Sequence, residues 1–193
     1  VMAQRRRRAM GMFTSMLMSF GVPMILAGDE LSKTQFGNNN PYCQDNTITW
    51  MVWEAINAED KVMARYARRA IQLRRRLKNV FNRRKFFTGK VQNRKGIKDL
   101  TWYTEKGVEF VSSDWQDTAR RSIAYDVYGN NRHILVIMNA EAKDKSWKLP
   151  PLEEENWTLL IDSSDSFHSK KPLGASQIII VPGWSVLVFE IKK

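Results

Sequence analysis

The sequence of 193 residues is 43% hydrophobic and 11% aromatic, and its formal net charge is +11. These proportions are typical of a globular protein that buries a core, and they exclude wholesale disorder. No stretch reaches the roughly 18 uncharged apolar residues that a membrane span requires, so no membrane partner is expected.

The chain begins with a pattern that predicts a helix followed by a buried strand. Residues 4–20 place apolar side chains at intervals of three and four positions, which is the spacing of a helix with one buried face. Gly21 and Pro23 end that helix. Residues 22–27 then form a short uninterrupted apolar run, which predicts a parallel strand covered on both faces.

A long polar loop and a second helix follow. Residues 28–57 contain two glycines, three consecutive asparagines and a proline, and a loop of this length in a compact domain is usually functional. Asn57 is suited to cap the next helix, because Glu59 and Asp60 occupy the first turn, where acidic side chains are favoured. From there to about residue 79, the spacing predicts an amphipathic helix with a basic solvated face.

The remainder of the chain is typical of short β-strands. Turn residues such as Gly129-Asn130-Asn131 separate its apolar runs, and several short strands at this spacing indicate an antiparallel sandwich. The predicted strands cover residues 100–103, 122–128, 133–139, 147–149, 157–161, 178–181 and 185–191.

This order of elements predicts two units, of which the first is incomplete. We divide the chain into residues 1–90, of α/β type, and residues 91–193, which are all-β. A single parallel strand has no partner for its backbone hydrogen bonds. The first unit is therefore expected to complete something larger.

Three short motifs are more specific than the composition. They are residues 21–23 (GVP), residues 28–30 (GDE) and residues 37–46 (GNNNPYCQDN). Together they resemble the glycogen debranching and isoamylase branch of the α-amylase superfamily, whose eighth barrel strand and following loop they match. The resemblance covers nearly the whole chain. It implies the last strand and helices of a TIM (β/α)8 barrel, followed by a C-terminal antiparallel β-sandwich domain.

The resemblance also implies a glycoside hydrolase that cuts α-1,6 branch linkages in glycogen or related α-glucans. In that family the three catalytic carboxylates follow strands four, five and seven of the barrel, upstream of the residues present here. No catalytic residue is therefore expected in this chain, and a missing N-terminal barrel segment is its expected protein partner. The alternative is a non-catalytic module that binds α-glucan or regulates another enzyme.

Asp29 and Glu30 do not qualify as a catalytic pair. A retaining glycosidase needs two carboxyl groups about 5–5.5 Å apart that flank one bond, whereas neighbours in an extended segment point to opposite faces. We expect Glu30 to make a structural or ligand-positioning hydrogen bond at the rim of a cleft.

The loop supplies the candidate residues for binding sugar. Asparagine amides both donate to and accept from hydroxyl groups, although asparagines also stabilise turns through local backbone bonds. Tyr42, Trp50 and Trp53 are candidates for stacking on sugar rings, with core packing expected for at least one of them. Asp45 is expected either to contact sugar or to anchor the loop. The predicted substrate-binding set is Glu30, Asn38, Asn39, Asn40, Tyr42 and Asp45.

Cysteine and histidine usage predicts neither a metal site nor a cofactor. Cys43 is the only cysteine, so no internal disulfide can form, which fits a cytoplasmic location. We expect its side chain to be buried as a small packing residue rather than to act as a nucleophile. His133 and His168 are far apart in the sequence and have no cysteine partners, which argues against zinc.

Two further features invite functional readings. Residues 1–98 hold 20 Lys and Arg against 6 Asp and Glu, as phosphate binding would need, but no nucleic-acid recognition motif accompanies them and an outer barrel helix would present the same face. Nucleic acid is therefore not an expected partner.

The second half is rich in tryptophan; we expect most of these side chains in the core, with one or two exposed and able to contact glucan. They are Trp102, Trp115, Trp147, Trp157 and Trp184.

Overall fold

The computed structural model describes residues 1–92, 96–151, 156–165 and 171–192. His168, named above, lies outside these ranges. In chain order the α-helices and strands are α1 (Met2–Leu17), α2 (Ala58–Arg76), α3 (Lys78–Phe81), β1 (Leu100–Tyr103), α4 (Ser112–Trp115), β2 (Ser122–Gly129), β3 (Arg132–Asn139), β4 (Lys145–Lys148), β5 (Asn156–Asp162), β6 (Leu173–Gly174), β7 (Ile178–Val181) and β8 (Ser185–Lys192). Two 3-10 helices, Asp29–Leu31 and Trp53–Ala55, lie between α1 and α2. The expectation that Asp29 and Glu30 lie in an extended segment is therefore wrong.

Both predicted helices are present. The α1 helix ends at Leu17, three residues before the predicted end. The α2 helix begins where the sequence predicts, because the Asn57 side chain accepts hydrogen bonds from the backbone N–H groups of Glu59 (2.8 Å) and Asp60 (3.1 Å). The Asp60 carboxylate accepts in return from the backbone N–H of Asn57 at 3.0 Å. This reciprocal arrangement satisfies N–H groups that the first helical turn would otherwise leave unpaired.

The β-rich half consists of two antiparallel sheets of unequal size. The larger has the strand order β1-β2-β3-β8-β5-β6, and the smaller pairs β4 with β7. Between β2 and β3, Asn130 and Asn131 adopt φ values of 51° and 59°, which a tight hairpin requires and asparagine tolerates. The strands predicted for this half are confirmed: β1 and β7 have the predicted bounds, and the other five have ends shifted by one or two residues. The two-residue strand β6 was missed, since two residues carry no periodic pattern.

The large sheet has a covered layer on each face. Successive side chains of a strand point to opposite faces, so Ile134 and Val136 face one core while Leu135 and Ile137 face the other. The first core is completed by α1, α2 and α3, and the second by the β4–β7 sheet. The large sheet is therefore covered by helices on one side and by a second sheet on the other.

One buried arginine joins the two long helices. Arg74 of α2 is 6% exposed, and its guanidinium donates to the backbone carbonyls of Leu17 (2.8 Å), Ser19 (2.7 Å) and Gly21 (2.6 Å). Carbonyl groups at a helix C-terminus lack intrahelical partners. Arg74 therefore caps the end of α1 and fixes the point from which residues 22–27 depart.

The predicted buried strand at residues 22–27 is wrong as a description of this structure. The segment is not assigned to a strand, and Val22, Met24 and Leu26 are 96%, 88% and 60% exposed. The reason is the one that the sequence already indicates. Among the described residues, no neighbouring strand lies beside this segment to share a hydrogen-bonding ladder.

Candidate functional site

The loop after residues 22–27 is built around a glycine that admits no side chain. Gly28 has a φ of 103°, and a Cβ there would lie 2.5 Å from the Met51 sulfur. Its backbone N–H donates to a carboxylate oxygen of Glu30 at 3.0 Å. Of the two roles expected for Glu30, a structural or a ligand-positioning hydrogen bond, the structure shows a structural one. The Lys33 ammonium also donates to the Thr49 carbonyl, so the two ends of the loop are held together.

The asparagine run is exposed and only partly used by local turns. The side-chain oxygen of Asn38 accepts from the backbone N–H of Asn40 at 2.9 Å, and that of Asn40 accepts from the N–H of Tyr42 at 3.2 Å. In these two residues the amide oxygens stabilise turns. Within the described ranges, no hydrogen bond involves the side-chain NH2 groups of these two residues. The same holds for the side-chain amide of Asn39. These donors face solvent and are available to an external acceptor.

The aromatic side chains of the loop all lie at the surface. Tyr42 is 80% exposed, Trp53 64% and Trp50 53%. The expectation that at least one of them packs in the core is therefore wrong. The Trp50 indole N–H donates to Asp45 at 2.8 Å, so Asp45 anchors the loop by fixing that ring.

Cys43 is likewise exposed, and its φ is 57°. The prediction of a buried packing residue is wrong, because Cys43 belongs to neither of the two cores.

A groove of about 890 Å³ separates α1, the loop and the start of α2. Five of the nine methionines of the chain line it, and an Arg6–Glu59 ion pair stands at its edge. We call it the methionine groove; its methionines are Met2, Met12, Met16, Met51 and Met63. None of the six predicted substrate-binding residues lines it.

Residues 22–26 carry a regular pattern of exposure. Val22, Met24 and Leu26 are exposed, whereas Pro23 and Ile25 between them are partly buried. Ile25 packs against the helical core. An exposure period of two is that of an extended strand with one face covered. We call residues 22–26 the open edge.

Sequence reasoning missed the exposed apolar character of this region. Met12 is 68% exposed and Phe36 is 71% exposed, and both line the methionine groove. The available signal was the density of methionine, since seven of nine lie within residues 1–51. Methionine is common on surfaces that adapt to a partner.

Two other kinds of functional feature are absent from the described residues. None of the described helices has the length and apolarity needed to cross a membrane. Within the described ranges, no three His, Cys, Asp or Glu side chains cluster in a way that could bind a metal ion.

Comparison with solved structures identifies the fold. The type I pullulanase of Bacillus subtilis, solved with maltose, matches with a TM-score of 0.68 and 21% identity, covering 98% of this chain and 24% of its own. The chain thus has the fold of part of a pullulanase-type protein, with helices and an antiparallel sheet domain. No family model matches the sequence.

Comparison with curated proteins defines the family. The glycogen operon protein GlgX homolog of Mycobacterium bovis is 31% identical over 206 residues, covering 98% of this chain and 28% of its own length. The glycogen debranching enzyme of Enterobacter sp. is 33% identical over 117 residues, covering 61% of this chain and 16% of its own length. The chain belongs to the glycogen debranching branch of the α-amylase superfamily and matches the C-terminal part of those proteins. The resemblance drawn from the sequence is confirmed.

Proposed function

We propose that this chain is the C-terminal part of an enzyme that hydrolyses α-1,6 branch linkages in glycogen or related α-glucans. Residues 1–90 are the end of its catalytic (β/α)8 barrel, and residues 91–193 are its terminal sheet domain. The catalytic carboxylates belong to a barrel segment that is not in this chain. The enzyme works in the cytoplasm, where the exposed thiol of Cys43 would stay reduced.

The open edge is the observation that carries this proposal. Val22, Met24 and Leu26 expose apolar side chains on one side of an extended segment whose other side packs on the helical core. Parallel sheets are buried on both faces, so their strands are nearly all apolar. The sequence of the open edge fits a strand of that kind, and the missing neighbour is backbone from the rest of a barrel.

The methionine groove supports the same partner. It is an apolar concavity beside the open edge, and Ile25 belongs to both. Apolar surface of this extent usually marks a site that another part of a protein covers. The curated relatives are several times longer than the stretch that matches, and that additional length is enough to supply the covering strands and helices.

In this proposal the loop forms one wall of the cleft. Active sites of barrels lie at the C-terminal ends of the strands, in the loops that follow, and the loop of residues 28–57 directly follows the open edge. Exposed amide donors on Asn38, Asn39 and Asn40 suit sugar hydroxyls, and the exposed ring of Tyr42 suits a sugar face. Glu30 and Asp45 hold the loop through Gly28 and Trp50.

The chemical step needs residues from elsewhere. A retaining mechanism requires two carboxyl groups about 5–5.5 Å apart across the scissile bond. Glu30 is bound to the Gly28 backbone N–H, and Asp45 to the Trp50 indole. Both have structural partners, so this chain by itself is expected to release no reducing ends from glycogen.

A chimera tests the proposal. The portion of the Mycobacterium bovis relative that precedes its matched region would be joined to Val1 of this chain, and debranching of glycogen limit dextrin would be followed by the release of reducing ends. The chimera should be active, while the chain alone and the upstream portion alone should be inactive. In the chimera, Asn38→Ala with Asn39→Ala and Asn40→Ala should raise KM or lower kcat.

The outcomes separate the main proposal from its alternative. A folded chimera without hydrolytic activity would refute the debranching function. If that chimera and the chain alone both bind branched maltooligosaccharides, the non-catalytic glucan-binding module becomes the better description. Hydrolysis by the chain alone would refute the assignment of the carboxylates to another segment.

A further inference from the structure

An exposed tryptophan stands in the sheet half, at the end of α4. Trp115 is 55% exposed. Its ring packs against Phe110, with the ring centroids 4.8 Å apart at 67°, and against Trp102, with the centroids 5.5 Å apart at 76°. Both are edge-to-face contacts of the kind that stabilise aromatic pairs. The ring is therefore held by two neighbours while more than half of its surface faces solvent.

An arginine braces the turn that carries this ring. The Arg120 guanidinium donates to the carboxylates of Glu105 at 2.9 Å and Asp114 at 3.0 Å. It also lies over the Phe110 ring, 4.9 Å from its centroid. The other oxygen of Asp114 accepts from the Val111 backbone N–H at 2.9 Å, which closes the short α4 turn. The backbone on either side of the tryptophan is thus fixed by charged hydrogen bonds, which are stronger than neutral ones.

The Trp115 ring is connected to the core through Trp102. The Trp102 ring packs against the Tyr125 ring, with the ring centroids 5.1 Å apart, and the Tyr125 hydroxyl donates to the Met18 carbonyl at 2.6 Å. Single exposed apolar residues are common and need no explanation. An exposed ring that is fixed in advance is different, because a ligand that stacks on it loses little side-chain entropy on binding.

The other tryptophans of the sheet half do not share this position. Trp147 and Trp157 are fully buried, and the Arg8 guanidinium covers the Trp184 ring at 3.7 Å from its centroid. Trp102 is partly buried against the helical core. Within the described residues, Trp115 is thus the tryptophan of this half with a large open face.

We propose that Trp115 is a second binding site for α-glucan chains, distinct from the asparagine-rich loop. A pyranose ring has an apolar C–H face that stacks on an aromatic ring, and hydroxyl groups around its edge. Asp117 and Glu105 both pair with Arg120, and Asp117 also accepts from the Ala119 backbone N–H. Their side chains are 45% and 33% exposed, so the remaining lone pairs of these carboxylates can accept from those hydroxyls. One aromatic surface with a few polar groups beside it is the usual composition of a small-ligand site.

A second site has a physical use for a branched polymer, because it holds one chain while the cleft engages another. Two linked sites raise the overall affinity through their effective concentration. The inference presupposes the α-glucan substrate proposed above, although it does not require that this chain take part in hydrolysis.

Native gel electrophoresis of the whole chain through glycogen-containing gels tests the site. Trp115→Ala and Trp115→Leu should each weaken binding by about fivefold to tenfold, the factor that roughly one aromatic contact supplies. The leucine variant retains apolar packing against Phe110 but lacks a flat ring, so it separates loss of stacking from loss of fold. The matched control is Phe86→Ala, since Phe86 is an exposed ring (78%) that also packs on another aromatic, Phe20. Maltoheptaose should compete with glycogen, and cellohexaose should not.

Any of three results would overturn this site. The first is that glycogen fails to slow the migration of the wild-type chain, and the second is that it slows both Trp115 variants as much as wild type. The third is that Phe86→Ala weakens glycogen binding as much as the Trp115 variants do. Failure of the site and failure of the proposed function are distinguishable. The chimera reports on hydrolysis through the loop variants, and the gel reports on Trp115 in the chain alone.

Discussion

Replacement of Arg74 by methionine should be among the most destabilising single changes in this chain. The methionine fills a similar apolar volume, so the change chiefly removes the guanidinium that donates to the carbonyls of Leu17, Ser19 and Gly21. The Leu17 bond is buried, and leaving its carbonyl unpaired should cost about 2–3 kcal/mol. Ser19 and Gly21 are exposed at the surface, where water can replace the lost donor, so each should cost only about 0.5–1 kcal/mol.

The sum predicts a loss of about 3–5 kcal/mol in the free energy of unfolding, a large fraction of the roughly 5–15 kcal/mol that stabilises a domain. Urea unfolding followed by far-ultraviolet circular dichroism would measure it. Arg74→Lys should fall between wild type and Arg74→Met, because a single ammonium cannot reach all three carbonyls. The matched control is Arg75→Met on the exposed side of the same helix, which should stay within about 0.5 kcal/mol of wild type. Equal unfolding midpoints for the Arg74 and Arg75 variants would refute the capping role of Arg74.

Two other substitutions and one pH dependence test the remaining structure. Asp99→Asn should lower the free energy of unfolding, measured in urea, by about 2–3 kcal/mol. The buried Asp99 carboxylate accepts from the backbone N–H groups of Thr88 and Gly89, and an asparagine amide can keep only part of that set. The surface change Glu109→Gln is its control, and an equal effect of the two would contradict the role of Asp99 in anchoring residues 88–89. Gly183→Ala should lower Tm by several degrees, because a Cβ there would lie 2.3 Å from the Ala142 carbonyl oxygen. An unchanged Tm would contradict the close packing of these two backbone segments. Burial raises the pKa of three tyrosines above the ordinary 10.0, so the native state keeps protons that the unfolded state releases. The free energy of unfolding should therefore hold below pH 10 and fall as the pH rises above it. Tyrosinate absorbance during an alkaline titration measures this. If all the tyrosines of the folded chain ionise with a midpoint near pH 10, before the chain unfolds, the burial of these three is contradicted. The three tyrosines are Tyr66, Tyr103 and Tyr125.

The family and the elements could be read from local sequence because each depends on neighbouring residues. The Asn57 cap, the hairpin at Asn130 and Asn131, and the strands that follow need only the chemistry of a few adjacent positions. The loop motif at residues 37–46 is also contiguous. Glu30 was expected to make a structural or ligand-positioning hydrogen bond, and Asp45 either to contact sugar or to anchor the loop. The structure shows the local bonds from Gly28 and Trp50, and sugar contact stays a prediction.

The positions of the loop side chains could not be read in this way. Tyr42, Cys43 and Trp53 all lie at the surface, although apolar composition alone favours burial for such residues. Burial depends on which other segments come close, and a long irregular loop has no period that fixes one face inward. The open donors of the asparagine run and the exposed face of Trp115 likewise depend on which surfaces the other segments leave uncovered.

The sequence by itself determined where the two long helices and most of the strands of the second half lie, and which family the chain belongs to. That residues 22–27 need neighbouring strands stays a prediction. Only the tertiary structure decided which surfaces remain open. It packed the helices and the β4–β7 sheet on opposite faces of one sheet, buried Arg74 at the end of α1, and left Val22, Met24 and Leu26 in solvent. The physical reason is that hydrogen-bonding periodicity is encoded in adjacent residues, whereas burial is set by contacts between residues far apart in the chain.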